Sequence, residues 1–269
     1  MVALREQVAR ELDARLRGAG LDNPWSDRAD ASSRWLYSDG LLYEAKRLRF
    51  HNDLVEKRRA ASALKSTGRL NVVFTAGAPG AGKSTAIASD VKLAGYRQID
   101  ADDFKDDLLL DARERSVLPN LGDNLVDGRP VSLRELASFV HAESTAVADA
   151  FRQASFEEGE NVVIHGTLSS ADYIDDLLLE LDEYGYQNIL ILDVESPPDL
   201  AIERALSRWW QQRTNDADPL GGRFVPPTAI RKYFPAGAAQ SLSAANAQAL
   251  EQRANELGWK VELRRVEGN

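Results

Sequence analysis

Leu4, Val8, Leu12 and Leu16 recur every four residues, which lines one face of a helix, and Gly18 and Gly20 end it. Residues 21–33 hold Pro24 with the turn-formers Asn23, Ser26 and Asp27, so they read as a loop. Beyond it, Trp35, Leu36, Leu41, Leu42, Tyr43, Leu48, Leu54 and Val55 supply an apolar face to a broken helix that runs into Lys57-Arg58-Arg59. From Leu70 the period changes. Short apolar runs at 72–75, 96–99, 161–165, 188–193 and 260–266 predict strands, separated by helical stretches near 84–91, 134–157, 170–183, 197–212 and 227–256. Ile189-Leu190-Ile191-Leu192 is continuously apolar, as a parallel strand buried on both faces requires. The alternation predicts an α/β fold, a parallel sheet with helices on both faces, preceded by an N-terminal helical segment. Ligands in such sheets bind beyond the carboxyl ends of the strands. Asp100 and Asp102, His165, and Asp193 with Glu195 all fall at that end.

Length changes this picture little: 269 residues hold one α/β domain plus a small helical annex, expected as residues 1–66 and 67–269. The absence of cysteine excludes disulfides, thiolate zinc sites and cysteine nucleophiles. No run reaches the roughly eighteen apolar residues of a membrane span, and Arg5, Glu6 and Arg10 leave no room for a signal-peptide core. A cytoplasmic protein without membrane contact is the expectation. The net charge of −9 is uneven, with thirteen Lys plus Arg against ten Asp plus Glu in residues 1–66 and all of the acidic excess beyond. An acidic core of this kind is a poor nucleic-acid binder. The basic segment either touches that core or presents an unrelated solvated face.

The strongest chemical signal is Gly77-Ala78-Pro79-Gly80-Ala81-Gly82-Lys83-Ser84-Thr85, a G-x-x-x-x-G-K-[ST] pattern between an apolar run and a helical stretch. Gly77, Gly80 and Gly82 let backbone N–H groups converge on a phosphate-sized concavity at a helix start. Lys83 is expected to bridge the terminal phosphates of ATP and Ser84 to ligand Mg²⁺. Ile99-Asp100-Ala101-Asp102-Asp103-Phe104-Lys105 follows the second strand. There Asp102 can orient or deprotonate an acceptor hydroxyl, while Asp103 caps the next helix. Glu143 and Ser144, early in a long helical stretch, either reach the acceptor or form a solvated face. Arg204 and Arg208 lie one helical turn apart, and Arg213 and Arg223 flank a Gly-rich loop. The whole reads as a lid that brings arginine to the transferring phosphoryl group. The apolar run ending in Asp193, with Glu195 two residues on, also has the Walker B form and supports an ATPase or switch reading.

The ordered set G-x-P-G-A-G-K-S-T, I-D-x-D-x-F-K, an acid and Ser early in a helix, I-x-G-T at a strand end, and arginines before G-R-x-V resembles the zeta toxin family over about residues 45–240. These are P-loop kinases of bacterial toxin–antitoxin systems that phosphorylate UDP-N-acetylglucosamine. The resemblance implies ATP binding at Gly82, Lys83 and Ser84, acceptor activation at Asp102, and phosphate neutralisation by Arg208 and Arg223. It implies acceptor contacts at Asp100, Glu143, Ser144, His165 and Thr167. Where family members read E-G-T-G-R, this chain has His165-Gly166-Thr167-Leu168-Ser169. That change bears on the acceptor more than on phosphoryl transfer, so another nucleotide sugar or a dinucleotide is the alternative acceptor. The N-terminal segment, outside the shared region, stands as an attached inhibitor, as a docking platform for an antitoxin, or as part of the core.

Overall fold

The computed structural model describes residues 2–61 and 70–268. In chain order its elements are helices α1 (Val2–Gly18), α2 (Ser33–Leu36) and α3 (Ala45–Ala61), strand β1 (Asn71–Ala76), α4 (Lys83–Ser89), β2 (Arg97–Ile99), α5 (Asp102–Glu114), α6 (His141–Glu157), β3 (Val162–Ile164), α7 (Tyr173–Glu183), β4 (Asn188–Glu195), α8 (Pro198–Arg213), α9 (Pro227–Arg231), α10 (Leu242–Glu256) and β5 (Lys260–Glu267). They form two compact units: Met1–Ala61 with Ala101–Ala150 and Leu206–Pro226, and Ser62–Asp100 with Phe151–Ala205 and Pro227–Asn269. The first is helical and the second holds the sheet. The expected boundary at 66/67 lies outside the described residues.

The sheet is parallel throughout, in the order β2-β3-β1-β4-β5. Val72, Phe74, Ile189 and Ile191 share one face by register, and Val73, Leu190 and Leu192 share the other. On the second face Val73, Val163 and Leu192 pack with Ile87 of α4 and with Leu93, and Tyr96 and Leu190 border them. Each such side chain contributes roughly 1.5–3 kcal/mol of burial. The chain runs from β1 toward one sheet edge and from β3 through β4 to β5 toward the other. Right-handed crossovers therefore put α4 on one face and α7 and α10 on the opposite one. α10 indeed packs on β1, β4, β5 and α7. This is the parallel α/β arrangement, with helices on both faces, expected from the alternating pattern.

In the helical unit, Val8, Leu12 and Leu16 of α1 are buried as their spacing requires, with Leu4 partly exposed. α3 runs along α5 through three ion pairs, Arg47–Asp111, Lys57–Asp107 and Arg58–Asp103, and Arg58 also donates to the Asp103 carbonyl. Fully buried Trp209 donates Nε1–H to Glu135 Oε1 at 2.7 Å.

Three elements differ from expectation. Residues 35–55 are two helices joined by a turn in which Asp39 Oδ1 accepts from the N–H groups of both Leu41 and Leu42. Leu41 and Leu42 are thereby 88% and 74% exposed instead of lining an inner face. The stretch 227–256 is two helices, α9 and α10, because Pro235 and Gly237 (φ +76°) interrupt it. The stretch 134–157 starts with a single 3₁₀ turn, Leu133–Leu136, before α6.

Candidate active site

β1 delivers the chain directly into the phosphate loop. Gly77 has φ +134°, and a Cβ there would stand 2.3 Å from the Val194 carbonyl of β4; at Gly80 (φ +85°) it would stand 2.1 Å from the Ala201 carbonyl of α8. No side chain fits at either position, so close backbone approach, and not flexibility alone, demands glycine here. Lys83 folds back across the loop, donating to the carbonyls of Gly77 (2.6 Å) and Ala78 (3.0 Å). An incoming phosphate would exchange these neutral acceptors for charged oxygens, which bind an ammonium more strongly. Ser84 and Thr85 open α4 and are exposed, and Ala81 is buried beneath the loop. Beside them a cleft of about 430 Å³ is lined by Gly82, Thr85, Ser89, Arg264, Val266 and Gly268.

The loop after β3 is tied to the phosphate loop. Gly77 N donates to the Thr167 carbonyl (3.2 Å), and Thr75 Oγ1 both donates to the Gly166 carbonyl (3.0 Å) and accepts from Gly166 N (2.9 Å). Thr167 Oγ1 pairs with Ser169 Oγ at 3.0 Å. Gln98 Nε2 donates to the carbonyls of Leu93 and Tyr96, so its Oε1 faces His165 Nε2 at 2.8 Å as the acceptor. His165 therefore donates from Nε2, and Nδ1 faces Asp100 Oδ2 at 3.8 Å. His165, Thr167 and Asp100 thus gather around the strand ends of the sheet unit.

Ala76 pairs in register with Asp193, so Asp193 sits one residue before the phosphate loop. It is fully buried. Neither carboxylate oxygen has a hydrogen-bond partner among the described residues, and Arg265 Nε stands 3.4 Å from Oδ2. Burial and then the Glu195 charge push Asp193 up to about 6. Glu195 is itself engaged, accepting from Ser241 Oγ at 2.7 Å.

In the helical unit, Asp102 is the first residue of α5. The cap position is Ala101 and no side chain caps the helix, so Asp103 does not take the capping role expected of it; both aspartates occupy the first turn, where the helix dipole favours them. Lys105 Nζ lies 2.7 Å from Asp102 Oδ1, Arg223 Nη1 lies 2.8 Å from Oδ2, and Arg223 Nη2 donates to the Asp102 carbonyl at 2.5 Å. Burial works to raise the Asp102 pKa. The charges of Lys105 and Arg223 outweigh it and hold the carboxyl well below the usual range. Lys105 Nζ also lies 3.1 Å from His141 Nδ1.

Glu143 is fully buried. His51 Nε2 lies 2.6 Å from its Oε1, Arg47 donates to the same oxygen, and these partners overcome burial to keep it ionised below its ordinary value. Ser144 is buried too, its Oγ donating to the His141 carbonyl at 2.9 Å. Arg208 is exposed, with no ion pair among the described residues. Arg213 is buried against Asp127 and Glu135 as a structural pair, and Arg204 Nη1 donates to the Gly268 carbonyl at 3.2 Å. Sequence reasoning missed Lys105 and His141. Lys105 was legible as the residue one turn after Asp102; His141, far along the chain, left no signal.

A family model described as zeta toxin matches residues 56–257. Among solved structures, chains of the AvrRxo1-ORF1:AvrRxo1-ORF2 complex with sulphate ions and of the AvrRxo1-ORF1:-ORF2 complex with ATP are similar, with TM-scores of 0.58 and 0.56 at 17% and 16% identity; each match covers 90% of this chain and 69% of the other. A chain from the PezAT chromosomal toxin–antitoxin system of Streptococcus pneumoniae is similar with a TM-score of 0.55 at 14% identity, covering 83% of this chain and 78% of that one. At such identities the likeness speaks to the fold. No curated protein is significantly similar in sequence. The family match spans about three-quarters of the chain, including the phosphate loop, Asp102, His165 and Arg223, and the chain belongs to the zeta toxin family.

Proposed function

We propose that this protein is an ATP-dependent phosphotransferase that phosphorylates a hydroxyl of a small metabolite, UDP-N-acetylglucosamine before other nucleotide sugars or dinucleotides. The observation that carries the reading is the phosphate loop, where two glycines admit no Cβ and Lys83 spans the concavity. Family membership and the ATP present in a structurally similar AvrRxo1 complex support it. In this reading Gly77 to Thr85 hold the triphosphate, the adjoining cleft takes the nucleoside, and Asp102 orients the acceptor hydroxyl. Arg208 and Arg223 neutralise the transferring group. Asp100, His165 and Thr167 contact the acceptor. Glu143 and Ser144, being buried, shape the acceptor site by holding the start of α6.

Mg²⁺ fits the residues present. Asp193 keeps two buried, unsatisfied carboxylate oxygens one residue from the loop, and Ser84 offers an exposed hydroxyl at the start of α4. When bound, the ion would neutralise phosphate charge. The engagement of Glu195 by Ser241 favours a kinase over a switch that needs Glu195 as its water-orienting base.

The toxin–antitoxin system to which the similar PezAT chain belongs supports an antitoxin partner for this chain, and a cytoplasmic location, where ATP is at hand, is part of the same proposal. No helix among the described residues is long and apolar enough to cross a membrane. The test is label transfer from γ-labelled ATP to UDP-N-acetylglucosamine and, in parallel, to a bacterial small-molecule extract. Acceptor-dependent transfer is expected. ATP consumption that ignores every acceptor would overturn the reading.

A further inference from the structure

Among the described residues Lys105 and Arg223 hold Asp102, and they differ in how firmly they are held themselves. Arg223 follows Gly221 and Gly222 in a loop and divides its guanidinium among Asp102, the Asp102 carbonyl and Asp106. Lys105 rises from the same helix as Asp102, one turn on, and is 8% exposed. Its ammonium is a donor only, so His141 Nδ1, 3.1 Å away, must accept, which puts the imidazole proton on Nε2. Trp25 packs edge-on against that ring with centroids 4.9 Å apart, fixing its plane. Burial and the neighbouring ammonium keep the ring neutral by pushing its pKa down to about 4.

We propose that Lys105 and His141 are positioning residues for Asp102: His141 Nδ1 anchors the Lys105 ammonium, and the ammonium pins Oδ1 so that Oδ2 faces the acceptor hydroxyl. This rests on the reading of Asp102 as the acceptor-orienting carboxylate. A lysine with one carboxylate partner can bridge both oxygens and compete with the hydroxyl for them. A second acceptor, His141 Nδ1, restricts that freedom. Arg223 is then the releasable partner, while Lys105 stays. As the hydroxyl oxygen bonds to the γ-phosphorus and the bond to ADP breaks, the hydroxyl proton passes to Asp102 Oδ2. Lys105 and His141 keep their protons throughout.

The experiment measures label transfer from γ-labelled ATP to a bacterial small-molecule extract, as plateau rate and half-saturating extract dilution. The full chain is compared with His141→Leu, His141→Asn, Lys105→Met and Asp102→Asn, each checked for wild-type thermal unfolding. His141→Leu and Lys105→Met should lower the plateau rate about ten- to a hundredfold, the scale of a misplaced reacting group, with little change in the half-saturating dilution. His141→Asn, whose amide oxygen can accept from Lys105, should recover most of the rate. In an Asp102→Asn background the further loss from His141→Leu should vanish. A full further loss there, or equal rates for wild type and both stable variants His141→Leu and Lys105→Met, overturns the positioning role while leaving the Asp102 reading intact. Should His141→Leu fail to fold, Lys105→Met alone decides by the same criteria. Undiminished transfer by Asp102→Asn, or none by the wild type, overturns the catalytic reading and the positioning role with it.

Discussion

His141 is buried beside the Lys105 ammonium, and both circumstances oppose its protonation. Its folded pKa, about 4, lies below the ordinary 6.5, so between those values the unfolded chain binds more protons and stability falls as pH falls. The full loss is on the order of 3 kcal/mol. Asp102, facing His141 through Lys105, is also depressed, but its contribution disappears only below the ordinary carboxylate range. Asp193, raised to about 6, works in the opposite sense from about pH 6 down to the ordinary carboxylate value, so its contribution grows as pH falls through that range. Hence the difference between variant and wild type isolates His141. Denaturant unfolding at several pH values should show that His141→Leu loses stability less steeply than wild type between about pH 6.5 and 4; parallel curves would mean the ring is charged in the folded chain. At the same scale, Asp102→Asn should leave ATP affinity unchanged and cut acceptor-dependent transfer by roughly two or more powers of ten, read by calorimetry and label transfer. The sequence made Asp102 visible through its place three residues after a strand. It could not show that Lys105 and Arg223 divide its two oxygens, because that division depends on a loop more than a hundred residues away.

Strands were legible because β1 and β4 are buried on both faces and so read as unbroken apolar runs, whatever packs on them. The Leu41–Leu42 pair misled because apolar residues were counted toward a helix face, whereas Asp39 and the Ser38–Tyr43 bridge commit the backbone to a turn. The N-terminal segment was hardest to read, since the partners of its basic residues come from elsewhere in the chain. Arg47, Lys57 and Arg58 of α3 meet Asp111, Asp107 and Asp103 of α5, the helix that begins at Asp102. We therefore propose that α3 braces α5 and is part of the unit's core, in preference to a detachable inhibitor. Arg47 is 4% exposed and serves both Glu143 and Asp111. Arg47→Leu should cost about 3–5 kcal/mol by leaving buried Glu143 with His51 alone, while Asp111 keeps Arg115, measured by denaturant unfolding. Adding Glu143→Gln should recover part of it. Deleting residues 1–60 should give an aggregating or inactive product; a soluble, more active truncation would restore the inhibitor account.

At the scale of the whole molecule the proposed roles divide between the two units: the phosphate loop, His165 and Asp193 belong to the sheet unit, and Asp102, Lys105, Arg223 and His141 to the helical one. Nucleotide binding should therefore report on the sheet unit alone. Its concavity is built from backbone held by close contacts with β4 and α8, so it exists before any ligand arrives. Hydrogen exchange with and without a non-hydrolysable ATP analogue and Mg²⁺ should show new protection at residues 77–86 and at 264–268, where the adjoining cleft is lined by β5. Lys83→Ala should abolish most of that protection and weaken binding roughly a hundredfold, because the phosphates lose their counter-charge while the backbone cradle remains. Gly80→Val should abolish binding altogether, since its side chain would have to occupy the space of the Ala201 carbonyl. Arg223→Ala should retain the full protection pattern yet transfer slowly. If Arg223→Ala instead loses protection at 77–86 as Lys83→Ala does, nucleotide binding depends on the helical unit as well, and the division of roles proposed here fails.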